Sequence, residues 1–237
     1  MTRRHPVPLV AAIGTALAIL LGACTAVGGG GASAPASTAT SATPSAAASS
    51  STAAGPSGDC PTAQPAPLPA GETRTVTIST DLGDIAINVD GKLSPIAAGN
   101  VVALASCGFY DGVVFHRVVP GFVIQGGDGE NGRVPITDRS LLGTGGPGYT
   151  IKDEPVTSTY GRGVVAMARS SEPNSVGSQF FIVLDDKARD ALASYNTYQI
   201  IGSVKSGMDV VDAIAAAADQ EIPSSPVVMR HVTVANP

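Results

Sequence analysis

The chain contains little of what metal, nucleotide and nucleic-acid chemistry require. Its 237 residues include three histidines, three cysteines and no tryptophan, and 14 basic against 19 acidic residues give a net charge of −5. An acidic chain is poorly suited to nucleic acid or to anionic membrane surfaces. The few histidines and cysteines also lack the spacing of metal ligands. The composition therefore disfavours nucleic-acid partners and gives no support to a metal site.

Motifs for covalent and phosphate chemistry are missing as well. The segment Val176-Gly177-Ser178-Gln179-Phe180 is not the elbow that presents a nucleophilic serine. The glycine-rich stretch 143–148 lacks the Gly-Lys-Ser/Thr ending of a phosphate-binding loop. His116 and His231 are interpreted as structural, His116 as a hydrogen-bonded histidine of the core or rim. We expect a site that needs neither cofactor nor metal and contains no acid/base pair.

The first 23 residues have the pattern of an export signal. Arg3 and Arg4 precede an apolar stretch over residues 7–21, and the stretch ends in Leu21-Gly22-Ala23-Cys24. These four residues resemble a bacterial lipobox, which implies cleavage before Cys24 and a lipid on its thiol. The alternative is an uncleaved membrane-spanning helix. We expect an extracytoplasmic protein that contacts the membrane through its lipid anchor only.

Composition divides the remaining chain into a linker and one domain. Residues 24–70 are expected to be a disordered linker, because residues 25–58 are almost wholly Ala, Ser, Thr, Gly and Pro and carry no charge. Residues 71–237 are of single-domain size. Cys60 and Cys107 form an even pair in an exported chain, which predicts a disulfide, with two free thiols as the alternative.

The apolar pattern of residues 71–237 predicts two helices and eight strands. Ser94 followed by Pro95 predicts the start of a helix that ends near residue 105, and residues 208–218 predict a second helix. Such spacing of short strands is typical of an all-β barrel, and we expect it to be closed, eight-stranded and antiparallel, with the two helices capping its open ends. The predicted strands are 73–80, 84–89, 113–119, 122–125, 163–168, 179–184, 198–204 and 227–234.

The run from Phe115 to Asp128 places one arginine among apolar neighbours. Side chains alternate along a strand, so Arg117 is expected to share a face with Phe115 and Val119. A second apolar run, residues 178–183, places a glutamine among aromatic residues. Two such runs predict an apolar cavity with a few polar groups, which is typical of a site for a small ligand or a peptide.

Three segments together resemble the cyclophilin-type peptidyl-prolyl isomerases. They are residues 115–128, residues 167–182 and the loop Gly143-Thr144-Gly145-Gly146, and the resemblance extends over residues 71–237. It implies a cyclophilin-like barrel and an enzyme that rotates X-Pro bonds without a cofactor. In an exported chain it implies a monomer that assists folding by binding proline-containing peptides and unfolded exported proteins. The alternative is a non-catalytic proline-peptide-binding or chaperone lipoprotein of the same fold.

The resemblance also implies which residues form the site. It assigns catalysis to Arg117 and Gln125. The largest departure from the family lies between Leu184 and Ile201, where members often carry a tryptophan; there Leu192 or Tyr195 is expected to close the cavity. The residues expected to bind substrate are Phe115, Phe122, Val123, Ala168, Arg169, Ser170, Gln179, Phe181, Leu192 and Tyr198. Among them, Arg169 replaces the usual asparagine of the family, and Tyr198 takes the place of a histidine.

A mechanism without proton transfer fits these residues. Twisting an X-Pro bond gives the prolyl nitrogen a lone pair, and an N–H of Arg117 would stabilise it more strongly than it stabilises the planar amide. The catalysed rate should then be nearly flat from about pH 6 to pH 9. The alternative for Arg117 is a strand residue ion-paired with an acid of the core.

Overall fold

The computed structural model describes residues 59–236. The predicted signal segment, the lipidation site Cys24 and the linker as far as residue 58 lie outside these residues. Within 59–236, no helix has both the length and the apolar character needed to cross a bilayer.

Eight strands, three α-helices and one 3₁₀ turn make up the described domain. In chain order they are β1 (Thr73–Thr80), β2 (Gly83–Asp90), α1 (Pro95–Ser106), β3 (Arg117–Val119), β4 (Val123–Gly126), the 3₁₀ turn Arg139–Leu141, β5 (Val164–Met167), β6 (Phe180–Val183), α2 (Ala188–Tyr195), β7 (Ile200–Ser206), α3 (Met208–Ala217) and β8 (His231–Ala235). The predicted all-β class is confirmed. The helix α2 was not predicted, because only Ala188 and Leu192 are buried along it and two positions do not form a recognisable apolar stripe.

The eight strands form one antiparallel sheet in the order β3-β4-β6-β5-β7-β2-β1-β8, curled into a half-barrel. The structure does not show the predicted closed barrel, since β3 and β8 form no ladder with each other within residues 59–236. The segments that precede them exchange only a few hydrogen bonds, between residues 112–115 and 227–229. The edge of β3 is occupied instead by a loop, since Val118 donates to the carbonyl of Glu221 at 2.8 Å.

The main core lies on the concave face of the sheet. Val118, Ile124, Ile182 and Val165 stand opposite one another on four neighbouring strands, and all four side chains are buried. Paired positions on adjacent strands point to the same face, so this row defines the inner surface. The helices α1 and α3 bury apolar residues in the same cluster.

The start of α1 shows how a distant side chain completes a helix end. Ser94 is the N-cap and Pro95 the first helical residue, as predicted, but the Ser94 side chain makes no capping bond. The carboxylate of Glu154 accepts the backbone N–H groups of Ile96 and Ala97, each at 2.9 Å. A carboxylate at a helix N-terminus also interacts favourably with the helix dipole.

Residues 60–70, which the sequence assigns to the linker, make contacts with the domain. Cys60 and Cys107 form a disulfide across 47 residues. Leu68 is buried in the main core and donates its N–H to the carbonyl of Pro95 at 2.9 Å. The carbonyl of Ala66 lies so close to Gly99 that a Cβ there would approach it to 2.3 Å, so α1 needs glycine where this segment crosses it.

Candidate functional site

The hairpin of β3 and β4 presents the arginine that the sequence singled out. Its turn closes with the N–H of Phe122 on the carbonyl of Val119 at 2.9 Å. Pro120 and Gly121 occupy the two central positions, and Gly121 has φ +71°, which is the geometry of a type II turn. The turn sets the register that places Arg117 opposite Gln125.

A second row of side chains crosses the convex face of the sheet. Arg117 pairs with Gln125, Gln125 with Phe181 and Phe181 with Ala166, so four strands contribute one residue each. This row lies on the face opposite the buried row that contains Val118. The register therefore brings together a guanidinium, an amide and an aromatic ring that are up to 64 residues apart in the sequence.

A smaller apolar cluster supports this row, and a cavity opens beside it. The cluster includes Val123, Phe181 and Leu192, and α2 covers one side of it. The cavity has a volume of about 350 Å³, and Arg117 and Arg169 are the charged residues among those described that line it. Its lining comprises Arg117, Phe122, Val123, Gln125, Ala168, Arg169, Phe181, Ala191, Leu192, Tyr195 and Tyr198.

Aromatic rings form the wall of the cavity on the side of α2. Tyr198 packs edge-on against Phe181 with ring centroids 5.4 Å apart, and Tyr195 against Tyr198 at 6.3 Å. The sequence left open whether Leu192 or Tyr195 closes the cavity. Both residues line the cavity, but Leu192 is buried beneath the aromatic wall, whereas Tyr195 is 68% exposed at the rim.

Arg117 stands at the edge of this cavity with its side chain 36% exposed. Its Nε donates to Oε1 of Glu221 at 2.7 Å. The alternative of an ion pair with a core acid is wrong, because the Glu221 side chain is 61% exposed. The bond to Nε leaves the two terminal nitrogens of the guanidinium without a hydrogen-bond partner among the residues described.

An amide network connects Gln125 to the glycine-rich loop. Gln125 Nε2 donates to Gln179 Oε1 at 3.0 Å. Gln179 Nε2 in turn donates to the carbonyls of Gly143 and Gly145, at 2.9 and 2.8 Å. Both glutamines are thereby held by the loop that the sequence grouped with them.

Asp128, which sequence reasoning gave no role, fixes the glycine-rich loop. Its buried carboxylate accepts four backbone N–H groups. Oδ2 accepts from Gly143 at 2.8 Å and Gly145 at 3.2 Å, and Oδ1 from Asn131 at 2.8 Å and Glu130 at 3.2 Å. A buried carboxylate requires such compensation, and here the compensation orders the loop. An acid directly after a pair of glycines was the available sequence signal.

A second cavity, of about 470 Å³, adjoins the first. The two share Gln125, Ala168 and Arg169, and Ser170 and Gln179 line only the second one. The Arg169 side chain is only 9% exposed, and its guanidinium is ion-paired with Asp153 at 2.9 Å. Its charge is thus neutralised by an acid from the segment that precedes β5.

Phe115 is the one predicted contact residue that lies apart from both cavities. It is buried in the main core with its ring edge-on to Phe180 at 6.3 Å. The prediction assumed a continuous strand over residues 113–119, but β3 begins at Arg117 and residues 115 and 116 are irregular. Alternation cannot be extended through such a break, so Phe115 and Arg117 do not share a face.

His116 is buried beside the glycine-rich loop. This agrees with its interpretation as a structural histidine of the core, and the side chain of Gln179 and the backbone of Val114 lie close enough to the ring to act on its pKa. Burial lowers the pKa of His116 below its usual 6.5, so the ring is neutral at pH 7. Among the described residues 59–236, no group of three or more His, Cys, Asp or Glu side chains is arranged to hold a metal ion.

Comparison with known sequences matches this chain to cyclophilin-type peptidyl-prolyl isomerases. The model of the family described as "Cyclophilin type peptidyl-prolyl cis-trans isomerase/CLD" matches residues 75–234. A "Probable peptidyl-prolyl cis-trans isomerase" of Brucella abortus is 39% identical over 149 residues, which are 62% of this chain and 74% of that protein. A "Peptidyl-prolyl cis-trans isomerase" of Acinetobacter baylyi is 38% identical over 167 residues, 67% of this chain and 84% of that protein.

Solved structures give the same result for the fold. A cyclophilin type peptidyl-prolyl cis-trans isomerase of Cryptosporidium parvum superposes with a TM-score of 0.58 at 27% identity, covering 70% of this chain and 99% of that one. A second structure of that protein, determined in the presence of the dipeptide Ala-Pro, gives a TM-score of 0.57 at 27% identity, covering 69% and 99%.

Proposed function

This chain belongs to the cyclophilin-type peptidyl-prolyl cis-trans isomerases, and from that premise we propose that it acts on X-Pro bonds of exported proteins from a lipid anchor outside the cytoplasm. The family membership supports an enzyme over the alternative of a non-catalytic binding protein. The register that places Arg117 beside Gln125 and Phe181 at the rim of an apolar cavity carries the assignment of the catalytic site.

The cavity suits the ring of a prolyl residue. Phe122, Val123, Phe181 and Leu192 supply apolar walls with a volume in the range expected for a small ligand. The Cryptosporidium relative was crystallised in the presence of Ala-Pro, and a peptide with this sequence is the ligand we propose. The ring would be held in the cavity while the rest of the peptide turns about the X-Pro bond.

Arg117 would stabilise the twisted bond. An uncatalysed X-Pro bond turns over in tens to hundreds of seconds, so a rate of about 10³ per second requires the barrier to fall by roughly 7 kcal/mol. One preorganised donor on a developing lone pair contributes about 3 to 4 kcal/mol of such a reduction. The remainder would come from orientation and exclusion of water in the cavity. A guanidinium is suited to this role because it stays charged at any ordinary pH.

The test is the rate of cis/trans exchange in an Ala-Pro peptide, measured by NMR with wild type and Arg117→Ala. We expect a loss of about 100- to 1,000-fold. Arg230→Ala is the matched control, because Arg230 is 38% exposed and ion-paired with Asp81 away from the cavity. Equal rates for wild type and Arg117→Ala would remove Arg117 from the mechanism, whatever the control does.

The proposed location draws its support from other residues. The lipobox-like Leu21-Gly22-Ala23-Cys24 supports lipid attachment, and the disulfide between Cys60 and Cys107 suits an oxidising compartment. We further propose that the mature protein is a monomer. Mass measurement of the mature chain tests the lipid directly: a mass without acyl groups at Cys24 would refute the anchor. Light scattering of the delipidated chain tests the monomer.

A further inference from the structure

The residue that accepts a hydrogen bond from the Arg117 side chain comes from a distant part of the chain. Glu221 is 104 positions away and lies in the loop between α3 and β8. Its carboxylate accepts a hydrogen bond from Nε, the guanidinium nitrogen that is bonded to the aliphatic part of the arginine side chain. A bond at this nitrogen restrains the plane of the group and leaves its terminal nitrogens free to face a ligand.

The backbone of Glu221 is fixed at the edge of β3. Its carbonyl accepts the N–H of Val118, the residue next to Arg117, at 2.8 Å. Side chain and backbone of Glu221 therefore bind two consecutive residues of the same strand. The backbone bond fixes the separation of the two main chains at this point, so the carboxylate and the guanidinium lie within reach of each other.

The loop around Glu221 is itself held by further contacts. The Asp219 carboxylate accepts both the N–H and the hydroxyl of Ser224, at 2.9 and 2.5 Å. These bonds lower the pKa of Asp219, which keeps it ionised. From the other side, the guanidinium of Arg139 donates to three successive carbonyls, those of Ile222, Pro223 and Ser224. Glu221 is thus presented by an ordered turn.

We propose that Glu221 is a positioning residue for the isomerase reaction: it holds the guanidinium of Arg117 in the orientation that directs its terminal N–H groups at the prolyl nitrogen. The inference rests on the proposed function, in which Arg117 is catalytic. Without Glu221, the flexible side chain of Arg117 would lose rotamer entropy each time it is ordered against the twisted substrate. The bond to Glu221 orders the side chain before substrate binds, so this entropy is not lost during the reaction. Ion pairs as exposed as this one contribute little to stability, so catalysis is the property that its removal should change.

The experiment compares Glu221→Ala with Glu221→Gln in the full mature chain. We expect Glu221→Ala to lower the exchange rate at saturating Ala-Pro peptide about 5- to 20-fold, with peptide affinity within about twofold, because a misdirected donor affects the twisted state more than the bound substrate. Glu221→Gln retains an oxygen that accepts from Nε, and its rate should stay within about twofold to threefold of wild type. Asp212→Ala is the matched control, since it removes a similarly exposed pair with Arg162 and should not change the rate.

Two further measurements show whether the effect passes through Arg117. In an Arg117→Ala background, Glu221→Ala should cause no additional loss. In the Glu221→Ala variant, the Nε–H of Arg117 should exchange faster with water, as followed by ¹⁵N NMR. A wild-type rate in Glu221→Ala, an equal loss in Glu221→Gln, or an undiminished loss in the Arg117→Ala background would each overturn the proposal.

These outcomes are separate from failure of the proposed function itself. If Arg117→Ala retains the wild-type rate, the catalytic assignment of Arg117 falls first. If Arg117→Ala is slow while Glu221→Ala is as fast as wild type, only the positioning role of Glu221 falls.

Discussion

Replacement of Asp128 should uncouple the glycine-rich loop from the site. In Asp128→Asn an amide NH₂ takes the place of one carboxylate oxygen, and an NH₂ group cannot accept a hydrogen bond. If it faces the loop, the N–H groups of Gly143 and Gly145 lose their acceptor. Asp128→Ala removes all four hydrogen bonds. It therefore tests the effect on the loop without depending on which way the asparagine side chain of the other variant is oriented.

The magnitude follows from the two bonds to the loop. The one to Gly143 is short, at 2.8 Å, and the one to Gly145 is longer, at 3.2 Å. Hydrogen bonds to charged groups contribute about 1.5 to 3 kcal/mol each. One strong and one weak bond give a loss of about 3 kcal/mol, which corresponds to a fall in Tm of roughly 6 to 12 °C for a domain of this size.

Hydrogen exchange at Gly143 and Gly145 is the deciding assay, with urea denaturation for the total stability. Both amides should lose protection relative to amides of β1, and the peptide exchange rate should fall about tenfold, because Gln179 is held by the carbonyls of the same two glycines.

Asp111→Asn is the control for the Asp128 variants. Asp111 is also buried and accepts the N–H of Val232 at 2.8 Å, away from the loop. It should lower stability without selective exposure of Gly143. Unchanged protection of both glycines in Asp128→Ala would refute the role of Asp128.

Two further predictions concern the stability of the domain. Cys60→Ser with Cys107→Ser should lower the free energy of unfolding by about 4 kcal/mol, the loop-closure value for 47 residues; urea curves with and without reductant on wild type would contradict this if they coincide. The pKa of His116 is lowered by burial, so the unfolded chain binds a proton more readily and stability should fall as pH drops below about 6.5 toward the folded-state value. His116→Asn should reduce that dependence between pH 7.5 and 5.5, and an identical pH dependence in the variant would count against the assignment.

Local patterns were enough to predict the β1–β2 hairpin and α1. Alternation sets the face of a long strand, and Ser94-Pro95 marks a helix start, so these elements agree within a residue or two. Local rules were insufficient for Phe115, because residues 115 and 116 are irregular and the alternation of β3 does not extend through them. They were also insufficient for closure of the barrel, which depends on whether the two edge strands meet.

The structure brings most of the candidate site residues together on neighbouring strands, whereas the loop residues that contact them were not predicted. Arg117, Gln125 and Phe181 lie on paired strands, where motif and register agree. Glu221 lies in a loop and contacts Arg117 from 104 residues away, whereas Asp128 binds the glycine-rich loop, and no periodic pattern specifies either contact. Those contacts depend on tertiary structure. The only sequence signal for Asp128 is the pair of glycines before it, and Glu221 has no local signal.

The disulfide between Cys60 and Cys107 also determines where mechanical load enters the domain. Any tension applied from the N-terminal side of residue 60 reaches the end of α1 through a covalent bond before it can reach β1. The segment around Leu68 and the β1–β2 hairpin are therefore shielded from being peeled away. A pulling experiment should show the domain resisting force at Cys107 in the oxidised protein and at Leu68 after reduction.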